Sequence, residues 1–425
     1  MFERWKRKKE SLPQVDIIKR WNQTDNTFYA PGALIRVKNG KGLLCEKFSD
    51  EYDDKGYSTL MFGDQPLLQF QGDEYFCPTC EKLVRSGYQL EQTEEFFANH
   101  LNEEDVAFEI LLDELKPLWG LLKDSYYVIL DTELYPTDGN GHLFWDVPDT
   151  KRQLPGSCLY YAGVGNWGLP RPHFTIATQS ASKCRQERVE YYRTHSNARA
   201  IAYYMDGYLT ALLDGHHKTL AAAMEHRKIN ALVIMPCYTW QLRQTDGTLQ
   251  PRLVSGEFSF DCDAYGIDEE ASYMGEKISF EKMEAINKRM PDTHSRLPYD
   301  ADALASYYPT VEEMYCIDEC GEISEGRLDD IVAEKVCLDE NEIYMLIKAL
   351  GGLRHKRLFD TVDFFLTRCS YTSLQRFHDT DTILTLVEQL MKLSRTTELE
   401  DYFIDIMVEY EEDYPDVGAR IQEYL

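Results

Sequence analysis

The chain has 425 residues, 43% hydrophobic and 12% aromatic, which indicates a folded protein of several domains and excludes a disordered one. Its 73 acidic and 45 basic residues give a net charge of −28, and because such a surface repels phosphates, we expect no DNA partner. No apolar run approaches the ~18 residues of a membrane span, no apolar segment follows the basic start, and eleven scattered cysteines favour reduced thiols, so we expect a cytoplasmic protein.

Residues 1–155 have the pattern of a mixed N-terminal region with short strands and helices. β-branched and aromatic runs bounded by turn residues predict strands, and apolar residues at helical spacing predict a helix. The predicted elements are strands at 33–37, 58–62 and 126–130, turns at 39–40, 53–56 and 139–141, and a helical stretch at 91–122 interrupted by Pro117.

Two cysteines in this region have the spacing of a zinc knuckle. Cys77 and Cys80 frame a C-P-x-C sequence, and two thiolates separated by two residues can both reach a tetrahedral metal. A closed structural site needs four ligands, and Cys45 and His100 are the nearest candidates. Two interpretations stay open, structural zinc and a pair of unbound buried thiols.

The stretch from 207 to 238 predicts a strand, a sharp turn and a helix, followed by a second strand. Tyr208 to Leu213 is an apolar run, Asp214 and Gly215 mark the turn, the helix covers 217–226, and Ala231 to Met235 reads as the closing strand. Glycine permits close approach to a ligand, and the N–H groups of the first helical turn favour an anion, usually phosphate. Two imidazoles and an ammonium crowd this turn in His216, His217 and Lys218. We therefore predict an anion site here.

The order strand, D-G-H-H-K, Ala-rich helix, strand resembles the ParB/sulfiredoxin superfamily, which has similar motifs at this turn. The resemblance covers about 172–237, with His173–Gln179 as an earlier strand and its loop, and helices at 188–192 and 197–205. It implies that the turn holds nucleotide phosphates. His216 stands where a sulfiredoxin has its catalytic cysteine, and the acidic residue of the ParB motif is missing, so neither reductase chemistry nor a CTP switch is expected.

Other residues near the motif are weaker candidates. Gln179 and Arg188 are assigned as further phosphate contacts, and Asp214 and His216 as candidates for proton transfer. Asp214 has a competing role as a helix cap. The G-x-G-x-x-G match at 163–168 is treated as accidental, because prolines follow where a nucleotide-binding fold begins its helix.

The C-terminal quarter predicts a helical module. Apolar residues recur at helical spacing after 339, and short connections favour antiparallel packing of a HEAT-like or bundle type. The predicted segments are an N-terminal region at 1–155, a ParB/sulfiredoxin-like core at 156–245, an irregular acidic extension at 246–330 and the helical module at 331–425. The expected fold class is α+β, with an α/β core and an all-α C-terminal module.

Two functional hypotheses follow from the sequence. The first is a cytoplasmic nucleotide- or phosphate-binding protein, with a phosphotransferase or nucleotide hydrolase as one form, in which Gly215, His217 and Lys218 hold a nucleoside triphosphate with Mg²⁺. The second is a non-catalytic scaffold with a degenerate core, whose C-terminal helices bind a protein partner. The sequence does not decide whether the chain is an enzyme.

Overall fold

A computed structural model describes residues 12–22, 29–49, 57–70, 101, 106–147, 169, 171–179, 181–245, 247–273, 275–287, 297–369, 380–410 and 414–425. The chain folds as two compact units, Met1–Tyr307 and Tyr308–Leu425. Strands and helices both contribute substantially, which confirms mixed α and β content. The segment boundaries at 155, 245 and 330 stay predictions.

The strands of the first unit precede and surround the motif. They are β1 (Gln14–Trp21), β2 (Gly32–Lys38), β3 (Leu44–Ser49), β4 (Tyr57–Phe62), β5 (Gln65–Phe70), β6 (Ser125–Leu134), β7 (Phe174–Ala177), β8 (Ala200–Asp206), β9 (Leu209–Asp214), β10 (Ile229–Pro236), β11 (Tyr238–Arg243), β12 (Leu249–Ser255), β13 (Phe258–Asp261) and β14 (Glu276–Lys277). The helices of this unit are α1 (Phe108–Glu114), α2 (Lys116–Trp119), α3 (Gln186–Arg193), α4 (His216–Met224), α5 (Cys262–Tyr265), α6 (Phe280–Asn287) and α7 (Ala301–Ala305).

A seven-stranded sheet lies at the centre of this unit, in the order β1-β2-β6-β10-β8-β9-β7. β10 is parallel to β8 and β7 is parallel to β9, whereas the other neighbours are antiparallel. β1, β2 and β6 come from the predicted N-terminal region and the other four from the predicted core, so a single sheet joins the two. Two smaller sheets accompany it, β14-β3-β4-β5 and β11-β12-β13.

The central strands confirm the predictions made from apolar runs. β2, β4, β6 and β10 contain the runs predicted as strands, and β9 contains all but the first residue of the run from Tyr208 to Leu213. In β10 seven of eight residues are buried, as expected for a continuous apolar run in the middle of a sheet covered on both faces. The strand predicted within 173–179 is confirmed as β7.

One predicted helix is wrong. Residues 197–205 mostly form β8, which lies between β10 and β9. The sequence from Ala200 to Tyr204 is buried throughout, and its aromatic and β-branched residues suit an internal strand. The helix expected at 188–192 is confirmed as α3. The segment predicted as an irregular acidic extension contains regular elements, among them β12, β13 and α6, and Asp261 caps α5 by accepting the N–H of Ala264.

The described residues of the second unit form helices, as the C-terminal pattern predicts. They are α8 (Val311–Glu319), α9 (Glu325–Val332), α10 (Glu340–Gly352), α11 (Leu358–Asp363), a π-helical turn (Phe364–Arg368), α12 (Thr380–Leu390), α13 (Thr397–Tyr410) and α14 (Pro415–Tyr424). Capping boxes begin α8 at Thr310 and α10 at Asp339. The apolar stripes pack into one core, which includes Ile343, Leu386 and Phe403.

Candidate functional site

The predicted turn joins β9 directly to α4. Gly215 has a φ of 99°, in the left-handed region, and α4 begins at the next residue without a side-chain cap. A Cβ on Gly215 would lie 2.8 Å from the Cβ of Ala200, on neighbouring β8. Glycine is therefore required both by the backbone conformation and by the contact with the sheet.

Both histidines of the motif accept hydrogen bonds from the loop after β7. Nε2 of His216 accepts the N–H of Thr178 at 3.1 Å, and Nε2 of His217 accepts the N–H of Arg185 at 3.0 Å. An imidazole that accepts through Nε2 is neutral and carries its proton on Nδ1. The two side chains therefore fasten Thr178 and Arg185 to the start of α4.

The surroundings of the imidazoles favour this neutral form. Burial lowers the pKa of His216 to about 3, with a smaller effect from His217. Burial, followed by the charge of Arg188, lowers the pKa of His217 to about 4. The Trp145 ring covers both, with ring centroids 5.6 Å from His216 and 5.8 Å from His217. Near neutral pH neither histidine supplies the positive charge that the sequence assigned to His217.

Lys218, which the sequence predicts as a phosphate contact, is buried. Its side chain is only 6% exposed, and Nζ lies 3.8 Å from the Asp214 carboxylate. Nζ donates to the carbonyl of Arg199 at 2.9 Å and lies over the ring of Tyr192. The ammonium therefore joins α4 to the start of β8.

Arg199 anchors the same corner of the sheet. Its guanidinium donates to both carboxylate oxygens of Asp131, at 3.0 and 3.1 Å, and to the carbonyl of Val106 at 3.2 Å. Bidentate pairs of this kind fix geometry as well as charge. Asp131 was not predicted from the sequence, since it lies 68 residues from Arg199 and no spacing pattern connects the two.

Arg185 and Arg188 are exposed next to the start of α4. Arg185 precedes α3 and Arg188 lies in its first turn, and both charges act on His217. Gln179 lies in the same loop, where its carbonyl accepts the indole N–H of Trp145 at 2.5 Å. The structure thus brings the weaker candidates Gln179 and Arg188 to the motif, together with Arg185.

Asp214 is the last residue of β9 and half buried. Besides its ion pair with Lys218, it borders a small apolar cavity, whose other lining residues are Leu44, Phe62, Leu118, Leu121, Ile201, Leu213 and Ile234. The N-cap position of α4 belongs to Gly215, so Asp214 is not the N-cap residue. Nε2 of His216 accepts the Thr178 N–H, and the proton-transfer roles of Asp214 and His216 stay predictions.

Cys77, Cys80 and His100 lie outside the described residues, as does the glycine motif at 163–168. Cys45 is a buried free thiol in β3, and Cys316 and Cys320 are buried free thiols at the end of α8. Among the residues that the structure describes, no group of three or more His, Cys, Asp or Glu is arranged to hold a metal. Zinc at Cys77 and Cys80 stays a prediction.

Within the described part of the chain, no helix combines the length and apolarity needed to cross a bilayer. In the comparisons with known proteins, no family model, no curated protein and no solved structure matches this chain.

Proposed function

We propose that the first unit binds a phosphate-bearing ligand of the nucleotide class at the start of α4. The main supporting observation is the bond between His217 and the N–H of Arg185, which holds two exposed arginines beside a helix N-terminus. The partial positive charge of the helix terminus and the guanidinium charges favour the same anion. The D-G-H-H-K resemblance supports this proposal.

In this proposal the motif residues are divided between binding and positioning. Arg185 and Arg188 supply charge, with Gln179 in the same loop, and Gly215 sets the turn. His216 and His217 are positioning residues, because each uses its only free ring acceptor to hold the loop. Lys218 stabilises the turn by donating a hydrogen bond to the Arg199 carbonyl. The proposal is one of binding and assigns no catalytic step.

Calorimetric titration of the full chain with ATP, CTP, GTP and pyrophosphate, with and without Mg²⁺, tests the proposal. The double variant Arg185→Ala/Arg188→Ala should lose tenfold or more in affinity, since each charge-assisted hydrogen bond contributes about 1.5–3 kcal/mol. The matched control is Arg193→Ala, because Arg193 is also on α3 but is paired with Glu225 at 2.5 Å. A parent protein that binds none of these ligands at millimolar concentration would contradict the proposal.

A second candidate function is a non-catalytic interaction protein, which the internal use of the motif favours. His216, His217 and Lys218 all bond to this chain's own backbone, so the motif has a sufficient role in folding alone. Under this hypothesis the parent binds no nucleotide, and the arginine variants keep every property of the parent. The titration above therefore separates the two candidates.

A further inference from the structure

Strand β11 exposes an apolar stripe at the edge of the three-stranded sheet. Tyr238, Trp240 and Leu242 are 42%, 64% and 44% exposed, and their alternate spacing puts them on one face. Its pairing with β12 is regular, without a bulge, and the strand contains neither lysine nor proline. Edge strands usually carry a bulge, a lysine or a proline, each of which hinders pairing with another chain.

The backbone of β11 is oriented for pairing on its open side. The N–H of Gln244 bonds to Thr248 in the hairpin turn at 2.8 Å, so by the alternation of an antiparallel ladder Leu242 and Trp240 also direct their backbone groups toward β12. Gln241 and Arg243 therefore direct theirs away from it. Beyond β11 no further strand continues this sheet within the described residues.

The charged residues beside β11 are complementary to those of a second copy of the chain. Glu269 accepts from the side chain of Gln241 at 3.2 Å and lies on the face opposite the apolar stripe. The exposed side chain of Arg243 is on that same face, two residues further along the strand than Gln241. In an antiparallel pair centred on Leu242, Gln241 lies opposite Arg243 of the second copy. Arg243 of each copy then approaches Glu269 of the other.

We infer that β11 is the interface of a symmetric dimer with a second copy of this chain. Pairing centred on Leu242 forms two Glu269–Arg243 ion pairs, related by the two-fold axis. On the other face Leu242 meets its own copy, and Trp240 reaches Leu242 of the second copy diagonally. A pairing centred on Trp240 would instead bring the two Glu269 carboxylates together.

The dimer is weak and reversible. The overlap covers about half of a short strand, well below the roughly 800 Å² per partner of a stable complex. Each copy also has a net charge of −28, so the copies repel over the rest of their surfaces. Dimerisation is therefore expected at high protein concentration.

Analytical ultracentrifugation of the full chain over a wide concentration range tests the inference. The parent should shift from monomer to dimer as concentration rises, and Arg243→Glu and Glu269→Arg should each lower dimer affinity at least tenfold. The double variant Arg243→Glu/Glu269→Arg should restore it, since the charges are exchanged. Lys282→Glu on α6 is the charge-matched control and should keep the dimer.

Cysteine cross-linking in a Cys337→Ser background tests the register. In a non-hydrogen-bonded antiparallel pair, the Cβ atoms of two directly opposite residues are about 4.5–5.5 Å apart, which is close enough for a disulfide to form with a small adjustment. Leu242→Cys should therefore give a covalent dimer on mild oxidation, whereas Trp240→Cys should not. The inference is overturned by a parent that stays monomeric at every concentration, by single charge variants that dimerise like the parent, or by cross-linking through Trp240→Cys instead of Leu242→Cys. None of these outcomes depends on the anion site.

Discussion

Mild acid should destabilise the first unit through the two motif histidines. In the folded protein burial lowers the pKa values of His216 and His217 to about 3 and about 4, whereas an unfolded histidine titrates near 6.5. Because the folded values are the lower ones, the stabilisation is fully present above pH 6.5 and is lost as pH falls toward the folded values. Between pH 7 and pH 5 the unfolded chain takes up most of two protons that the folded chain does not bind.

The size of this effect follows from proton linkage. Each histidine accounts for a loss of about 2 kcal/mol in the free energy of unfolding between pH 7 and pH 5, and the pair for about 4 kcal/mol. Within this window the result depends little on the folded values, provided they stay near 4 or below.

Urea denaturation followed by tryptophan fluorescence measures the effect, because Trp145 packs against both imidazoles. His217→Gln keeps an acceptor for the Arg185 N–H but does not titrate, so its loss between pH 7 and pH 5 should be about 2 kcal/mol smaller than that of the parent. The two proteins should show equal changes between pH 7 and pH 8, which serves as the internal control. An equal loss in parent and variant from pH 7 to pH 5 would refute a neutral, buried His217.

Two further predictions concern the turn itself. Lys218→Ala should lower the free energy of unfolding by about 1–3 kcal/mol, measured by urea denaturation, because the part-buried Arg199 carbonyl loses its donor; an unchanged stability would mean that this hydrogen bond does not stabilise the fold. Gly215→Ala should destabilise by about 1–3 kcal/mol more than Gly247→Ala, since both have positive φ but only Gly215 meets a neighbour, Ala200 Cβ at 2.8 Å. Equal melting shifts in the two glycine variants would contradict the close contact.

Much of the local structure could be predicted from the sequence because it depends on short-range patterns. The apolar runs in β6, β9 and β10, the turn at Gly215 and the helix after it were all predicted within a few residues. An apolar run of four to eight residues bounded by turn residues is shorter than most buried helices and therefore favours a buried strand. The error at 197–205 arose where a run of alanine and tyrosine fits both a helix and an internal strand, and only its neighbours in the sheet favour the strand.

The roles of the motif side chains depended on tertiary contacts. The sequence showed which residues crowd the turn, namely His216, His217 and Lys218, but not where their polar atoms point. Their hydrogen-bond partners lie 19 to 38 residues away in the sequence. The N–H groups of Thr178 and Arg185 donate to the two imidazoles, and the Arg199 carbonyl accepts from Lys218. The free-energy difference between the charged and the neutral form of a side chain depends on its burial and on neighbouring groups, which are often distant in sequence. The sequence therefore determined the turn, and the tertiary structure decided that the Lys218 ammonium is buried against the Arg199 carbonyl, whereas Arg185 and Arg188 lie exposed beside the turn.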